Sequence, residues 1–365
     1  MRTPAAIFPF CAELLPVVKY FDRFQDEFLL VKLIAPRGLG LSGKDAGYSR
    51  NQPDLGISVS DDYDMNDSSW RALILTRTLD DSIIDDDGLS DAMECALLAG
   101  KSVFYFDDTE SKVPARIREL RESYSSLVTL CVEDTPISKL NNPIQHFSAL
   151  KSPVVLAGGL LSEADVFETV ICLANRFVDS GYRPLTISRH PIGRLFGFRC
   201  VSNIIYAKVL TESQKIYSLN MSLQVLEHFT SPDCFIIEAP DAVMQYNSNA
   251  QNGFGILTYM LCQAAHPDYF ICGVPYEIAI GSLLASLSDE FSNRLGAPLF
   301  AVHASNIVVD LNDVAQLREM SFVFADTCKV RHYLDKVRET SNIPICDIVD
   351  DCGASLFELL RNSME

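Results

Sequence analysis

Short apolar runs alternate with longer amphipathic stretches along the chain, and turn residues mark most of the joins. Near the start, "AAIFPF" reads as a strand, a helical pattern follows from about Glu13 to Phe21, and "FLLVKLI" reads as the next strand. "RALILT" and "KSVFYF" are further strands, and between them "GLSDAMECALLAGK" is an amphipathic helix that Gly100 is suited to end. "SLVTLCVE" adds one more strand. Strand, helix and strand in this order imply a parallel sheet covered on both faces. The stretch "TPISKLNNPIQHFSALKSP", with Pro136, Pro143 and Pro153, reads as a linker. Beyond it the alternation resumes. Strand Val154 to Ala157 enters a Gly158-Gly159 turn, a helix is expected from about Glu163 to Val178, and Gly181 precedes strand Leu185 to Ser188. "DCFIIEAP", "DYFICGVP", "LFAVHAS" and "MSFVFAD" are later strands, "GFGILTYMLCQAA" a helix, and "ASLFELLRNS" a terminal helix.

The chain has 365 residues, more than one core normally holds, so two domains are expected: 1–134 and 154–365, joined by the linker 135–153. Thirty Lys and Arg against 48 Asp and Glu give a net charge of −18, which disfavours nucleic acid and anionic membranes and favours a basic partner. The acidic clusters Asp61, Asp62, Asp64, Asp67 and Asp80, Asp81, Asp85, Asp86, Asp87 read as solvated loops. No apolar run spans a bilayer and the N-terminus lacks a signal-peptide core, so a cytoplasmic location is expected. The 11 cysteines are scattered without a C-x-x-C pair, as buried free thiols in a reducing compartment would be, and no metal is expected.

Two stretches suggest phosphate binding. In "RGLGLSGKDAG", Gly38, Gly40 and Gly43 fit the dinucleotide spacing, while Gly38, Gly43 and Lys44 fit a phosphate loop with Asp45 in place of Ser or Thr. Both readings need a helix directly after the loop, and Asn51, Pro53 and Gly56 argue against one. A glycine-rich recognition loop for a peptide or other ligand remains, built on Gly38, Gly40, Gly43, Lys44 and Asp45. The second stretch has the right context and the wrong residues. Strand, turn and helix occur at Val154 to Val178, with Gly158, Gly159 and Ser162 as candidate cofactor contacts. The positions for Gly-Lys-Ser/Thr, however, read Glu163, Ala164 and Asp165, which is a degenerate phosphate loop carrying carboxylates. Glu238, closing "CFIIE", sits where a nucleotide hydrolase holds magnesium, and without the Lys a hydrogen-bonding role suits it better. His190 and Arg194 follow the strand "LTIS" and would join Ser188 and Arg189 in a polar cluster at a strand end. His190, Arg194 and Glu238 are the candidate catalytic residues. His266, before Pro267, reads as a helix end.

The stretches "IFPF", "GLGLSGKDAGYSRNQPDLGI", "GYRPLTISRHPIGRLFGF" and "NGFGILTYMLCQAAHPD" resemble the peptide maturation system proteins of anaerobic bacterial clusters that make ribosomally synthesised natural products. That resemblance implies an accessory role beside a precursor peptide, a radical maturation enzyme or a carrier-like protein. "DSGYRPLTISRHPIGRLFG" is more remotely similar to a family with a Rossmann-like N-terminal domain and a phosphate-loop C-terminal domain, some of whose members are D-glutamate N-acetyltransferases. The fold class expected is therefore α/β: a Rossmann-like parallel sheet, then a P-loop-NTPase-like parallel sheet with a degenerate loop. Two functions are open. One is a scaffold that binds precursor peptide or partner enzyme and needs no cofactor. The other is an acyltransferase or amide-forming enzyme with acyl-CoA or a nucleotide in the cleft between domains. Whether any catalysis remains, and the oligomeric state, the sequence leaves open.

Overall fold

The computed structural model describes residues 2–24, 26–64, 66–133, 146–318 and 320–364. It contains two six-stranded sheets, all parallel, and one two-stranded antiparallel sheet. The chain divides into two compact units: Met1–Pro136 with His190–Cys200, and Ile137–Arg189 with Val201–Glu365.

The first unit holds β1 (Thr3–Phe8), β2 (Phe28–Ile34), β3 (Val59–Ser60), β4 (Ala72–Thr76), β5 (Ser102–Phe106) and β6 (Val128–Cys131). Their order across the sheet, β3-β2-β1-β4-β5-β6, is that of the Rossmann fold, and its reversal between β1 and β4 opens a crevice at the strand C-terminal ends. β1 and β4 are flanked by strands on both sides, so their residues Ala5, Ile7, Leu73 and Leu75 are wholly buried. The helix Asp86–Leu98 starts where Asp85 accepts from the Gly88 N–H at 2.8 Å. It ends before Gly100, whose φ of +73° a side chain would resist.

The second unit holds β7 (Val154–Gly159), β8 (Pro184–Ile187), β9 (Cys234–Glu238), β10 (Tyr269–Pro275), β11 (Leu299–Ser305), β12 (Ile307–Val309), β13 (Phe322–Phe324) and β14 (Ile345–Cys346). The main sheet runs β14-β11-β10-β7-β9-β8, so the loop after β7 is flanked by the ends of β9 and β10. "MSFVFAD" does form a strand, β13, but it pairs antiparallel with β12 outside the main sheet. Phe322 and Phe324 pack, partly buried, against the core of this unit, and Val323 between them is exposed. Of the expected linker, 135–145 lie outside the described residues. The remainder is tied down: the N–H groups of Lys151 and Ser152 donate to Glu227 at 2.7 and 2.8 Å, and Asn220 donates to the Ser148 carbonyl at 2.8 Å.

Candidate functional site

The glycine loop after β2 turns at Gly38, Gly40 and Gly43, whose φ values are +98°, +67° and +76°. A 3-10 helix, Ala46–Arg50, does follow it, contrary to the sequence expectation that none begins here. Its N-terminus is already satisfied. The Asp45 carboxylate accepts from the N–H of Gly47, Leu55 and Gly56 at 2.8 Å each and of Ile57 at 3.1 Å. Lys44 lies 3.6 Å from the Tyr48 ring centroid, a cation-π contact. Amides gathered around an internal carboxylate do not face an external phosphate. The dinucleotide fingerprint also belongs after the first strand of such a sheet. Here β1 is followed by "PFCAEL", with no glycine, and the spacing match falls after β2. We expect Asp45→Ala to lower unfolding free energy by about 2 kcal/mol, because one carboxylate serves four amides. A urea titration reads this, and limited proteolysis should cleave first between residues 37 and 58.

In the second unit, Gly158 and Gly159 are the last residues of β7 and do not themselves make the turn. Both are packed too closely for a side chain: a Cβ would meet Val243 Cγ1 at 2.6 Å from Gly158 and the Leu161 carbonyl oxygen at 2.3 Å from Gly159. The loop 160–165 is closed by its own backbone. Leu160 donates to the Gly273 carbonyl at 2.9 Å, Ala164 to Leu161 at 3.1 Å and Asp165 to Glu163 at 2.7 Å. Gly273 is equally confined, since a Cβ there would lie 2.1 Å from the Ala164 oxygen. These contacts delay the helix, which runs Val166–Asp179 and not from Glu163.

Asp165 stands at the N-cap of that helix with φ +55°, yet its side chain makes no capping bond. It turns inward: Oδ2 is 3.0 Å from Nε2 of His303, and both side chains are 0% exposed. The Ile348 N–H lies 3.3 Å from His303 Nδ1, so in the neutral ring Nε2 carries the proton toward Asp165, and in the charged ring Nε2 still donates to it. Burial opposes charge on His303, but Asp165, with Asp347 and Glu168 behind it, outweighs burial and raises its pKa. Burial likewise raises Asp347. The Asp165 side chain therefore does not cap the helix. His303 escaped sequence reasoning altogether, although a histidine inside the apolar strand "LFAVHAS" was the available sign.

Glu238 ends β9 directly beside Ala157 of β7. Its Oε2 accepts from the Ser188 hydroxyl at 2.5 Å and the Arg189 N–H at 3.1 Å, and its Oε1 takes Arg189 Nε at 3.1 Å. The guanidinium continues to the carbonyls of Pro240 and Ser162 at 3.2 and 3.3 Å. A cation thus sits where a hydrolase would place magnesium, and it belongs to the protein. Ser162, a candidate cofactor contact, gives its carbonyl to Arg189 and its hydroxyl to Glu163.

The expected cluster of Ser188, Arg189, His190 and Arg194 is divided, because His190 and Arg194 fall in the first unit. His190 Nε2 lies 3.7 Å from Glu13, whose carboxylate also accepts from the Leu79 N–H at 3.1 Å. Glu133 binds Arg194 at 2.6 Å and Arg199 at 3.1 Å, while Cys200 Sγ reaches Asp108 at 3.4 Å. Glu13 follows β1, Leu79 follows β4, Asp108 follows β5 and Glu133 follows β6, so the segment His190–Cys200 is bound at the strand C-terminal ends, the edge at which open parallel sheets in general take ligands. Nearby, Arg77 bridges Asp86 at 2.5 Å and the buried Asp107 at 3.5 Å, beside an open acidic cleft lined also by Asp81, Asp85 and Asp87. Among the described residues, no group of three or more His, Cys, Asp or Glu is gathered to hold a metal, and no helix is long and apolar enough to cross a membrane. Burial pushes the thiols of Cys11, Cys234 and Cys262 up to about 12, which makes them unreactive.

No family model matches the chain, and no curated protein sequence does. Among solved structures it is similar to a DUF1611 family protein from Anabaena variabilis ATCC 29413, with TM-score 0.60 and 13% identity, covering 99% of this chain and 100% of that one. A nucleotide-binding protein in complex with ADP from Archaeoglobus fulgidus matches at TM-score 0.30 and 10% identity, over 57% of this chain and 88% of its own. An amine dehydrogenase from Mycobacterium smegmatis matches at TM-score 0.27 and 16% identity, over 36% and 38%. The first of these likenesses is one of fold, shared from end to end; the other two are partial.

Proposed function

We propose that this chain is a binding protein, an accessory or scaffold that holds a precursor peptide or partner enzyme during maturation of a ribosomally made peptide, in a fold whose nucleotide site is closed. The observation that carries this reading is the double closure in the second unit. Asp165, in the position of the metal-binding hydroxyl, is locked to His303, and Glu238, in the position of the magnesium acid, is locked to Arg189. A polyphosphate would have to displace both pairs and would meet Glu163 where it needs a lysine. The net charge of −18 favours a cationic partner instead. Acyl transfer through His190, Arg194 and Glu238 is the weaker reading, since each already faces a neighbour within its own unit: Glu13, Glu133 and Arg189 respectively.

Isothermal titration against ATP, GTP and acetyl-CoA with magnesium tests this. We expect no saturable heat up to about 1 mM ligand, where binding would be worth about 4 kcal/mol. Micromolar binding of any of them, or acyl transfer abolished by His190→Ala, would overturn it.

A further inference from the structure

Asn252–Gly255 is a complete left-handed turn. The φ values are +47° at Asn252, +58° at Gly253, +56° at Phe254 and +67° at Gly255. Glycine enters this region freely, but Asn252 and above all Phe254 resist it and persist there only where the surroundings hold them. Here they do. Asn252 Nδ2 donates to the Leu160 carbonyl at 3.2 Å, the Arg294 guanidinium donates to the Phe254 carbonyl, and Gly255 lies so close to Val243 that a Cβ would sit 2.1 Å from its oxygen. Core burial does not offset the strain, because Phe254 is 43% exposed. Directly after it, Ile256 and Tyr259 are 52% and 42% exposed, and at three positions apart they share one face of the helix Ile256–Ala265. The turn therefore fixes an aromatic ring outward beside two more exposed apolar side chains.

The cation that touches this patch, Arg294, is paired with Glu290 at 3.9 Å, and acidic groups lie beside it. Asp241 Oδ2 lies 3.1 Å from the position of the Cβ that Gly253 lacks, and the Thr258 hydroxyl of the same helix holds the Asp241 carbonyl at 3.1 Å. Burial raises the Asp241 carboxyl, Glu163 adds to that rise, and the Ala242 N–H and Arg189 oppose it. Arg189 is committed to Glu238. A partly desolvated carboxylate with a second acid acting on it is stabilised by an incoming cation. The missing side chain at Gly253 leaves Asp241 approachable.

We propose that Phe254, Ile256 and Tyr259, with Asp241 and Glu163, form the docking face for a peptide segment that carries an apolar side chain next to a Lys or Arg. This rests on the binding-protein reading above and names the surface it uses. The apolar trio calls for an apolar anchor, and the carboxylates, within a chain of net charge −18, exclude an acidic one.

The test uses the full chain and a fluorescein-labelled peptide, KLWKLLKK, against its glutamate counterpart, ELWELLEE, by fluorescence anisotropy at about 0.15 M salt, where long-range attraction is screened. The lysine peptide should bind and the glutamate peptide should not. Phe254→Gly, which suits the left-handed turn and so preserves the fold, should weaken binding about tenfold or more, and Asp241→Asn about fivefold. Asp86→Asn should leave it unchanged. Equal affinity of wild type and Phe254→Gly, or no binding of the lysine peptide to wild type, overturns the docking face. Binding that instead falls in Asp86→Asn places the peptide on the first unit, so this face fails while the binding-protein reading stands. Nucleotide binding in the calorimetric experiment removes that reading independently.

Discussion

Replacing Asp165 with alanine lowers the unfolding free energy by about 3 to 5 kcal/mol, because His303 is left fully buried without its carboxylate. Alanine also tolerates the +55° φ less well than aspartate does, so Asp165→Asn is the variant that isolates charge. The two differ in how stability follows pH. In the wild type His303 has a folded pKa above its ordinary value of 6.5. Its contribution is therefore fully present below about 6.5 and is lost as pH rises through the folded pKa. Asp347, also raised, acts with the same sign from about 3.8 upward. Asp165→Asn removes the strongest support for charge on His303 and leaves burial, the largest opposing cause, in command. The folded pKa then drops below 6.5, and stability is lost as pH falls instead. Melting temperatures at pH 5.5 and 8.5 check this: the difference between wild type and Asp165→Asn should be larger at 5.5. Parallel behaviour at the two pH values would mean that Asp165 and His303 are not an ion pair.

The elements that set the fold were readable because their constraints are local. β1, β4, β5, β7, β9 and β10 are continuous apolar runs, which is what a strand buried on both faces requires, and Gly100 and Gly181 ended helices where their positive φ places them. The helix Glu212–Thr230 was not readable in the same way. Its buried run from Leu219 to Val225 includes Asn220, Ser222 and Gln224, and these polar residues blur the apolar stripe. Asn220 and Gln224 are satisfied by residue Ser148, far off in sequence. The candidate site shows the same limit. Charge inversion in the loop after β7 was visible at Glu163 and Asp165, but the partner of Asp165 is 138 residues away and no spacing points to it. Arg189 was placed correctly at the end of β8, yet its hold on Glu238 depends on β8 and β9 lying side by side. His190 is adjacent to Arg189 in sequence and belongs to the other unit, a division that alternating patterns do not record.

Glu238→Gln should cost about 3 kcal/mol, close to the Asp165 effect and for a related reason. Arg189 is only 13% exposed, and the amide that replaces Glu238 offers its guanidinium no opposite charge. The backbone carbonyls of Pro240 and Ser162 remain and keep the loss below that of a wholly orphaned cation. A buried pair is destabilising to break but not always worth having, so the double variant Arg189→Met with Glu238→Leu should recover most of the loss, and a double-mutant cycle in urea should show a coupling of about 2 kcal/mol. The same variants separate structure from ligand binding. If Arg189 stands in for a metal, freeing Glu238 by Arg189→Met should let magnesium raise the melting temperature of that variant and leave wild type unmoved. Magnesium stabilising wild type equally would mean that the acid is open to a metal in the native protein, and the closed-site reading would fall with it.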